Sequence, residues 1–213
     1  MTGNARRGGG SEGCDVCARE RLLREAAELF SRKGYAATSV GEIVAAAGVT
    51  KPVLYYHFES KDGLYRALLE EAVGRLRPAV AASLRGDGTS AAQRIRTLCN
   101  AIVESAGANL STVRLMRALH YAPPQDAPEI DLWEFPLTIT ATLERIVREG
   151  VRSGEFSPIP PGDLVWTILG LINVYVDSNL LQPDIALRLE GFRSALDLAL
   201  AGAAARRTHQ GGR

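Results

Sequence analysis

Apolar residues recur along most of this chain with the spacing of amphipathic helices. The apolar positions of the first such segment lie on one face: Leu22, Ala26, Leu29 and Phe30. Arginine and glutamate residues fill the opposite face. Gly34 follows the segment and suits the left-handed cap at the end of a helix. The pattern therefore predicts a first helix from Arg19 to Lys33.

A short second helix is predicted between Ser39 and Gly48. Ser39 and Glu42 have the spacing of a capping box, in which the first residue caps the helix and the second reaches back to it. The residues expected to be buried are Ile43, Ala46 and Ala47. Gly48 closes this helix and makes a tight turn with the residues that follow it.

A third helix is predicted after that turn, from Lys51 to His57. Pro52 lies in its first turn, where a missing N–H costs nothing. Leu54 and Phe58 are expected to point into a small core, which leaves polar and aromatic groups for the exposed face. Those groups suit phosphates and base edges. Two short helices joined by a tight turn are typical of a helix-turn-helix, whose second helix enters the DNA major groove.

The rest of the chain also has helical periodicity, without the alternation of a strand. Its predicted helices are Ser60–Leu76, Ala91–Ala108, Ser111–Tyr121, Glu129–Ser153, Gly162–Asn179 and Pro183–Ala205. The helix Gly162–Asn179 is apolar nearly all round, so most of its sides must be covered. Burial within one subunit satisfies that need, and so does a symmetry mate. We expect a homodimer through the last two helices, because a palindromic DNA site requires a two-fold protein.

Composition and charge change this picture little. The chain has 213 residues, of which 46% are hydrophobic and 23% charged, an ordinary composition for a globular protein. The net charge of +1 permits DNA binding but supports it weakly. We expect no apolar run to approach the length of a membrane span. The N-terminus lacks the apolar stretch of a secretion signal, so we expect a cytoplasmic protein.

Few residues indicate catalysis or metal binding. There is no glycine-rich phosphate loop and no convincing nucleophile–base set, although His120 and Asp177 could meet in space. Cys14 and Cys17 form a single Cys-x-x-Cys, whereas structural zinc usually takes four ligands. We therefore expect neither an enzyme nor a cofactor or metal. A redox-responsive regulator acting through the cysteine pair stays open as an alternative.

A longer set of fixed positions surrounds the helix-turn-helix. It reads Phe30-x-x-Lys33-Gly34-Tyr35-x-x-Thr38-Ser39-Val40-x-x-Ile43-x-x-Ala46-Ala47-Gly48-Val49-Thr50-Lys51-x-x-Leu54-Tyr55-Tyr56-His57-Phe58-x-Ser60-Lys61-x-x-Leu64. This pattern resembles the N-terminal domain of the TetR family of bacterial transcriptional regulators. The resemblance covers roughly Arg19 to Leu69, about a quarter of the chain, and its many fixed spacings make it highly specific.

The resemblance implies an all-α protein of about nine helices. A three-helix helix-turn-helix DNA-binding domain would be followed by a helical ligand-binding and dimerisation domain. We place a disordered arm at 1–18, the DNA-binding domain at 19–65, the ligand-binding and dimerisation domain at 66–205, and a disordered tail at 206–213. The implied function is a repressor that binds an inverted-repeat operator in double-stranded DNA as a dimer and is released by a small molecule. An activator of the same fold is an alternative.

Carried over position by position, the resemblance also assigns DNA-binding residues. Those that match phosphate-contacting positions are Thr38, Ser39, Thr50, Tyr56 and Lys61. Those that match recognition-helix positions, touching bases or phosphates, are Lys51, Tyr55 and His57. A packed histidine at a helix end would explain His57 nearly as well. Pro52 is assigned to the DNA-binding residues as well, although it departs from the family: many members have glycine or serine there, whereas proline has no backbone N–H and adds the bulk of its ring.

The effector is expected to bind in the C-terminal domain. The candidate lining residues are Met116, His120, Trp133, Phe135, Trp166, Asn173 and Tyr175. Each of them fits the core as well as a pocket, but their apolar character favours a hydrophobic or aromatic effector. Asn173 is a polar group on an apolar helix, so it needs a partner, which is a ligand, Asp177 or the other subunit. The helix Ser60–Leu76 is expected to touch both domains, and its tilt would change the spacing of the recognition helices.

Overall fold

The computed structural model describes residues 11–121, 128, 134–181 and 188–205; of residues 11–16 and 119–121 it describes the backbone but not the side chains. Helices dominate these residues, which contain no strand apart from an isolated antiparallel bridge between Phe156 and Ala204. The predicted all-α fold class is therefore confirmed.

The described residues form ten helices. The first five are α1 (Ser11–Lys33), α2 (Val40–Ala47), α3 (Lys51–Phe58), α4 (Lys61–Gly74) and α5 (Arg77–Arg85). The other five are α6 (Ala91–Ala108), α7 (Leu110–Tyr121), α8 (Glu134–Arg152), α9 (Pro161–Leu181) and α10 (Leu189–Ala203).

Helix α1 begins earlier than its sequence pattern predicted, at Ser11 rather than Arg19. The expectation of a disordered arm was therefore wrong for residues 11–18. Ala18 is buried one turn before the fully buried Leu22, so the apolar stripe of α1 extends beyond the predicted start. The remainder of the predicted arm, and the predicted tail at 206–213, lie outside the described residues.

The predicted helix Ser60–Leu76 ends at Gly74, and a separate helix α5 follows it. No helix was predicted for residues 77–85. Pro78 stands in the first turn of α5, where the absent N–H has no partner to lose. The proline thus starts a new helix instead of only ending the previous one.

The chain divides into two compact units. One comprises Met1–Ala72 with Ser111–Ile130, and the other Val73–Leu110 with Asp131–Arg213. Helix α7 thus groups with the N-terminal helices, which the sequence pattern did not indicate. The functional domains at 19–65 and 66–205 stay predictions.

The core of the first unit is aromatic. Phe30 of α1 and Tyr35 both contact the fully buried ring of Tyr65, with ring centroids 5.2 and 4.9 Å from it. In α2 the buried residues are Ile43, Val44 and Ala47. Ala46, which the pattern placed in the core, is exposed. Helix α1 packs against both α2 and α3, so it is the platform on which the helix-turn-helix rests.

The second unit is built around α6, which packs against α5, α8, α9 and α10. Arg94 of α6 is buried, and its guanidinium donates to the Ser83 carbonyl and to the Glu149 carboxylate, each at 2.6 Å. These charge-assisted bonds hold the pKa of Glu149 below its usual range, with the Arg94 bond as the largest cause. Glu155 accepts from the backbone N–H groups of Ala91 and Ala92 and so caps α6.

Helix α9 carries large apolar side chains on its exposed side as well as on its buried side. By length and composition it is long enough to cross a membrane, with a mean hydropathy of 1.4 and 33% of its most apolar window buried. The expectation that no apolar run approaches this length was therefore wrong for α9. The same helix contacts α6, α8 and α10, as a core helix of a globular unit does. Its length alone is weak evidence for a membrane span.

Candidate DNA-binding surface

The start of α2 is fixed by a reciprocal set of hydrogen bonds. The backbone N–H of Glu42 donates to Ser39 Oγ at 3.2 Å, and the backbone N–H of Ser39 donates to the Glu42 carboxylate at 2.9 Å. The predicted capping box is confirmed. Lys33 Nζ donates to the same carboxylate, and this bond is the largest cause that lowers the pKa of Glu42 to about 2. The orphan N–H groups of the first turn of α2 are thereby held in one orientation.

The turn between α2 and α3 depends on a left-handed residue. Gly48 has φ 63° and ψ 39°, a conformation in which a Cβ is unfavourable. Thr50 occupies the N-cap position of α3 in an extended conformation, but its side chain makes no capping hydrogen bond. Thr50 is exposed, so its hydroxyl is accessible to solvent at the positive end of α3.

Helix α3 is divided between a buried and an exposed face, as predicted. Leu54 is fully buried and Phe58 is 5% exposed. On the other side, Tyr56 is 75% exposed and Tyr55 is 47% exposed. Lys51 and Pro52 are exposed as well. Two phenol groups and an ammonium group therefore face solvent on a helix whose apolar side holds it against α1.

His57 lies between these two faces. It is half-buried, and its ring contacts those of Tyr56 and Phe58, with centroid distances of 5.1 and 5.9 Å. This packing suits a structural role for His57, while the prediction that it contacts DNA stays untested.

The junction between α3 and α4 is tight. Glu59 has φ 62° and ψ −35°, a strained conformation for a residue that is not glycine. A Cβ built on Gly63 would lie 1.9 Å from the Phe58 carbonyl oxygen, so only glycine fits there. Ser60 Oγ accepts from the Gly63 N–H at 2.9 Å and so caps the start of α4. Glu59 and Gly63 were not predicted as special positions, although a glycine in the first turn of a helix was a visible signal.

Two residues predicted to contact phosphates are engaged within the protein. Thr38 is 1% exposed, and its hydroxyl donates to the Gly34 carbonyl at 2.8 Å. Lys61 is half-buried, and its Nζ donates to the carbonyls of Tyr35 and Thr38, each at 3.0 Å. Ser39 is exposed at the start of α2, with its hydroxyl bonded to Glu42. The structure brings all the predicted DNA-binding residues into one unit but separates the exposed groups from the internal ones.

The candidate effector-binding residues are more dispersed. Tyr175 is 7% exposed and packs against Phe192 with ring centroids 5.3 Å apart, while Met116 and Phe135 are half-buried. The side chains of His120 and Trp133 lie outside the described residues. Two open grooves, of about 570 Å³ on α10 and about 520 Å³ on α8, include none of the candidates.

Trp166 and Asn173 occupy an exposed face of α9. Trp166 is 72% exposed, Val174 63% and Leu181 78%. Gly170 lies between them with open space around its Cβ position. Burial within one subunit, the first of the two predicted ways to cover α9, leaves this face open to solvent, while cover by a symmetry mate stays a prediction. We call this surface, made of Trp166, Gly170, Asn173, Val174 and Leu181, the α9 stripe.

The comparisons with known proteins agree with this geometry. Residues 22–68 match the family model described as bacterial regulatory proteins, tetR family. The chain is 38% identical over 113 residues to the HTH-type transcriptional activator FasR of Mycolicibacterium smegmatis, a match covering 53% of this chain and 51% of FasR. It is 42% identical over 60 residues to the HTH-type transcriptional repressor ComR of Escherichia coli, covering 28% of this chain and 29% of ComR.

The chain thus spans about half the length of FasR and less than a third of ComR. The likeness extends further in three dimensions. The TetR family transcriptional regulator PfmR from Thermus thermophilus has a TM-score of 0.67 and 27% identity, with 85% of this chain and 97% of PfmR covered. Residues 22–68 thus form the DNA-binding domain of the TetR family of bacterial regulatory proteins, and the described helices share the fold of the TetR family regulator PfmR.

Proposed function

We propose that this protein is a repressor that binds an inverted-repeat operator as a homodimer and leaves it when a small effector binds. The observation that carries the proposal is the exposed face of α3. Lys51, Tyr55 and Tyr56 present an ammonium and two hydroxyl groups to solvent, while Leu54 and Phe58 fix the helix from behind. A helix held in this way can enter the major groove without reorganisation.

The contacts divide by chemistry. The N–H groups at the starts of α2 and α3, with Ser39, Thr50 and Tyr56, suit phosphate oxygens and would set the register on the duplex. Lys51 and Tyr55 lie on the exposed face of α3 and are proposed to reach base edges. The exposed ring of Pro52 has no N–H to offer, so it would make an apolar contact, for which a thymine methyl is suitable.

The test begins with selection of bound fragments from a genomic DNA pool by the full-length protein. The selected fragments should share an inverted repeat whose half-sites are about 10 base pairs apart, or a multiple, along one face of the duplex. Enrichment of no sequence over the input pool would reject the proposed function. Genes beside the selected fragment would then narrow the chemical class of the effector.

Substitution of the exposed residues then tests the recognition face. Lys51→Ala and Tyr55→Ala should each weaken operator binding by about 1–3 kcal/mol in a gel-shift titration, because each removes a donor at the groove. Thr97→Ala, an exposed position on α6, is the matched control and should bind as wild type. Unchanged affinity in both α3 variants would exclude this face as the reader of the operator.

The dimer is proposed to form through α9 and α10. The α9 stripe exposes apolar surface that costs free energy in water, and Leu198 of α10 is 72% exposed in the same unit. A second copy related by a two-fold axis presents the same stripe and can cover it. Asn173 would then find a further partner in the other subunit.

Effector control requires a ligand that prefers the DNA-released form, since equal affinity for both forms shifts nothing. We propose a hydrophobic or aromatic effector, with Met116, His120, Trp133, Phe135 and Tyr175 as candidate lining. Because Trp166 is exposed, we place it in the proposed dimer interface and not in the effector pocket. Release of the selected operator fragment by an apolar metabolite fraction, measured by gel shift, tests this part.

An activator of the same fold is the second candidate function, since FasR is named as a transcriptional activator. A reporter fused to the selected promoter separates the two: deletion of the gene raises expression under a repressor and lowers it under an activator. The redox alternative through Cys14 and Cys17 stays untested; Cys17 is exposed. A regulator of this family acts on DNA in the cytoplasm, which is where we place it, and we propose no catalytic activity.

A further inference from the structure

Lys61 is the first residue of α4, and its side chain turns back toward the segment that connects α1 with α2. Its Nζ donates to the carbonyl oxygens of Tyr35 and Thr38, each at 3.0 Å. The same Nζ lies 4.0 Å from the centroid of the Tyr35 ring, within the range of a cation–π contact. Two of the three N–H groups of the ammonium are therefore used inside the protein.

A second link from the same turn of α4 holds the same segment. The Tyr35 hydroxyl donates to the carboxylate of Asp62. Burial is the largest cause that raises the pKa of Tyr35, followed by this hydrogen bond, so the hydroxyl keeps its proton and remains a donor. Lys61 and Asp62, which are neighbours in α4, are thus hydrogen-bonded to the backbone and to the side chain of Tyr35.

The segment 35–38, which these hydrogen bonds hold, leads directly into the start of α2. The Thr38 carbonyl accepts a hydrogen bond from Lys61 Nζ, and the Thr38 hydroxyl donates one to the Gly34 carbonyl. Hydrogen bonds therefore hold Thr38 on both sides. Ser39 is the next residue and the N-cap of α2, where the proposed function places a phosphate. A shift of the Thr38 carbonyl would move Ser39 and the orphan N–H groups behind it.

We propose that Lys61 is a positioning residue, which sets the phosphate-binding start of α2 by holding the 35–38 backbone, and that it does not itself contact DNA. This proposal rests on the proposed function, and it assigns to Lys61 a role different from the phosphate contact that the family resemblance implies. Lys51 is the direct-contact counterpart, because it is exposed on α3.

The salt dependence of binding separates the two roles. Removing one phosphate contact with B-DNA lowers the slope of log K against log salt by about 0.9, so one lysine per subunit changes the slope by about 2 in a dimer. Lys61→Met and Lys51→Met are compared on a duplex of about 40 base pairs taken from the genomic selection. Both substitutions keep the aliphatic stem and remove the ammonium.

The proposal predicts that Lys61→Met weakens binding at least about tenfold at every salt concentration with the slope of wild type. Lys51→Met should lower the slope by about 2. Ser39→Ala should weaken binding in the wild-type background and have little further effect in Lys61→Met, because the two act on one contact. Lys61→Arg, which can also donate to two carbonyls, should restore most of the affinity. Simple loss of fold stability would change none of the slopes and would not couple to Ser39.

A measurement on the wild-type protein covers the case in which Lys61→Met does not fold. The chain has three lysines, Lys33, Lys51 and Lys61, so ¹⁵N-lysine labelling gives three ammonium signals. The Lys61 signal should exchange slowly before DNA is added and keep its chemical shift afterwards, while the Lys51 signal should move. A slope lowered by about 2 in Lys61→Met, wild-type affinity in that variant, or a Lys61 signal that moves with that of Lys51 would each overturn the proposal. Failure of the wild-type protein to select any DNA would instead reject the proposed function.

Discussion

Two exposed helical surfaces of this chain face water for opposite reasons. On α3 the exposed groups are hydroxyls and an ammonium, which water solvates well, and Tyr56 is 75% exposed without penalty to its polar end. On α9 the large exposed apolar side chains are Trp166, Val174 and Leu181, whose hydration costs free energy. The exposed fraction of a side chain therefore does not distinguish the two surfaces, whereas the polarity of the exposed groups does. The α3 face exposes groups that water solvates, whereas the α9 stripe exposes apolar surface, which the proposed dimer would cover.

The two surfaces also differ in the interactions that determine the positions of their helices. The position of α3 depends on short-range features, namely the left-handed Gly48 before it and the Gly63 junction after it. The position of α9 depends on packing against helices distant in sequence, α6 and α8 among them. Substitutions at α3 should therefore act locally, while those at α9 should change assembly.

The largest effect is expected at the α9 stripe. Val174→Asp would place an unpaired charge in the proposed interface, at about 3–5 kcal/mol for each copy, so the dimer should dissociate into folded monomers. Sedimentation velocity measures this. Thr97→Asp, on the exposed side of α6, should leave the dimer unchanged. A Val174→Asp protein that stays dimeric would show that the stripe is not the interface.

The next largest effect is expected at the α3–α4 junction. Gly63→Ala puts a Cβ against the Phe58 carbonyl oxygen, 1.9 Å away, and should destabilise the first unit by about 3 kcal/mol. Gly41→Ala is the control, since its Cβ meets only Ser39 Oγ at 3.8 Å, and should change stability by less than about 1 kcal/mol. Urea unfolding followed by circular dichroism compares them. Equal stability of the two variants would contradict the rigid junction.

A smaller effect separates binding from stability on α3. Tyr56→Phe removes one exposed hydroxyl and should weaken operator binding by about 1–2 kcal/mol while stability stays within about 0.5 kcal/mol. Leu54→Ala, two residues earlier and fully buried, should cost about 2–5 kcal/mol of stability instead. Gel shift and thermal unfolding on the same preparations provide both readouts. Wild-type operator affinity in Tyr56→Phe would show that the Tyr56 hydroxyl does not contact the operator.

The smallest effect concerns pH. Glu42 has its pKa lowered from 4.5 to about 2, chiefly by the Lys33 hydrogen bond and then by those with Ser39. A lowered folded-state pKa stabilises the protein above the unfolded-state value, and this contribution is lost as pH falls from about 4.5 towards 2. Wild type should therefore melt slightly higher than Glu42→Gln at pH 7, with the difference shrinking across that window. A difference independent of pH would mean that the carboxylate charge is not involved.

Residues close in sequence allowed much of the DNA-binding surface to be predicted. Ser39 with Glu42, Gly48, and Leu54 with Phe58 all have the roles their spacing indicated, because caps, turns and helix faces depend on neighbours within a few residues. Lys61 shows the limit of that reasoning. Its partners Tyr35 and Thr38 are more than twenty residues away, and no local pattern indicates that its ammonium turns inward.

The sequence by itself determined the helical class, the helix-turn-helix and the family, since periodicity and fixed local spacings specify them. Tertiary structure alone decided that Thr38 is buried, that Gly63 meets the Phe58 carbonyl, that α7 belongs with the N-terminal helices, and that Trp166 lies on an open face. The physical reason is the range of the interactions. An apolar helix has several faces on which it can pack, and the face that stays open is set by where distant helices meet it.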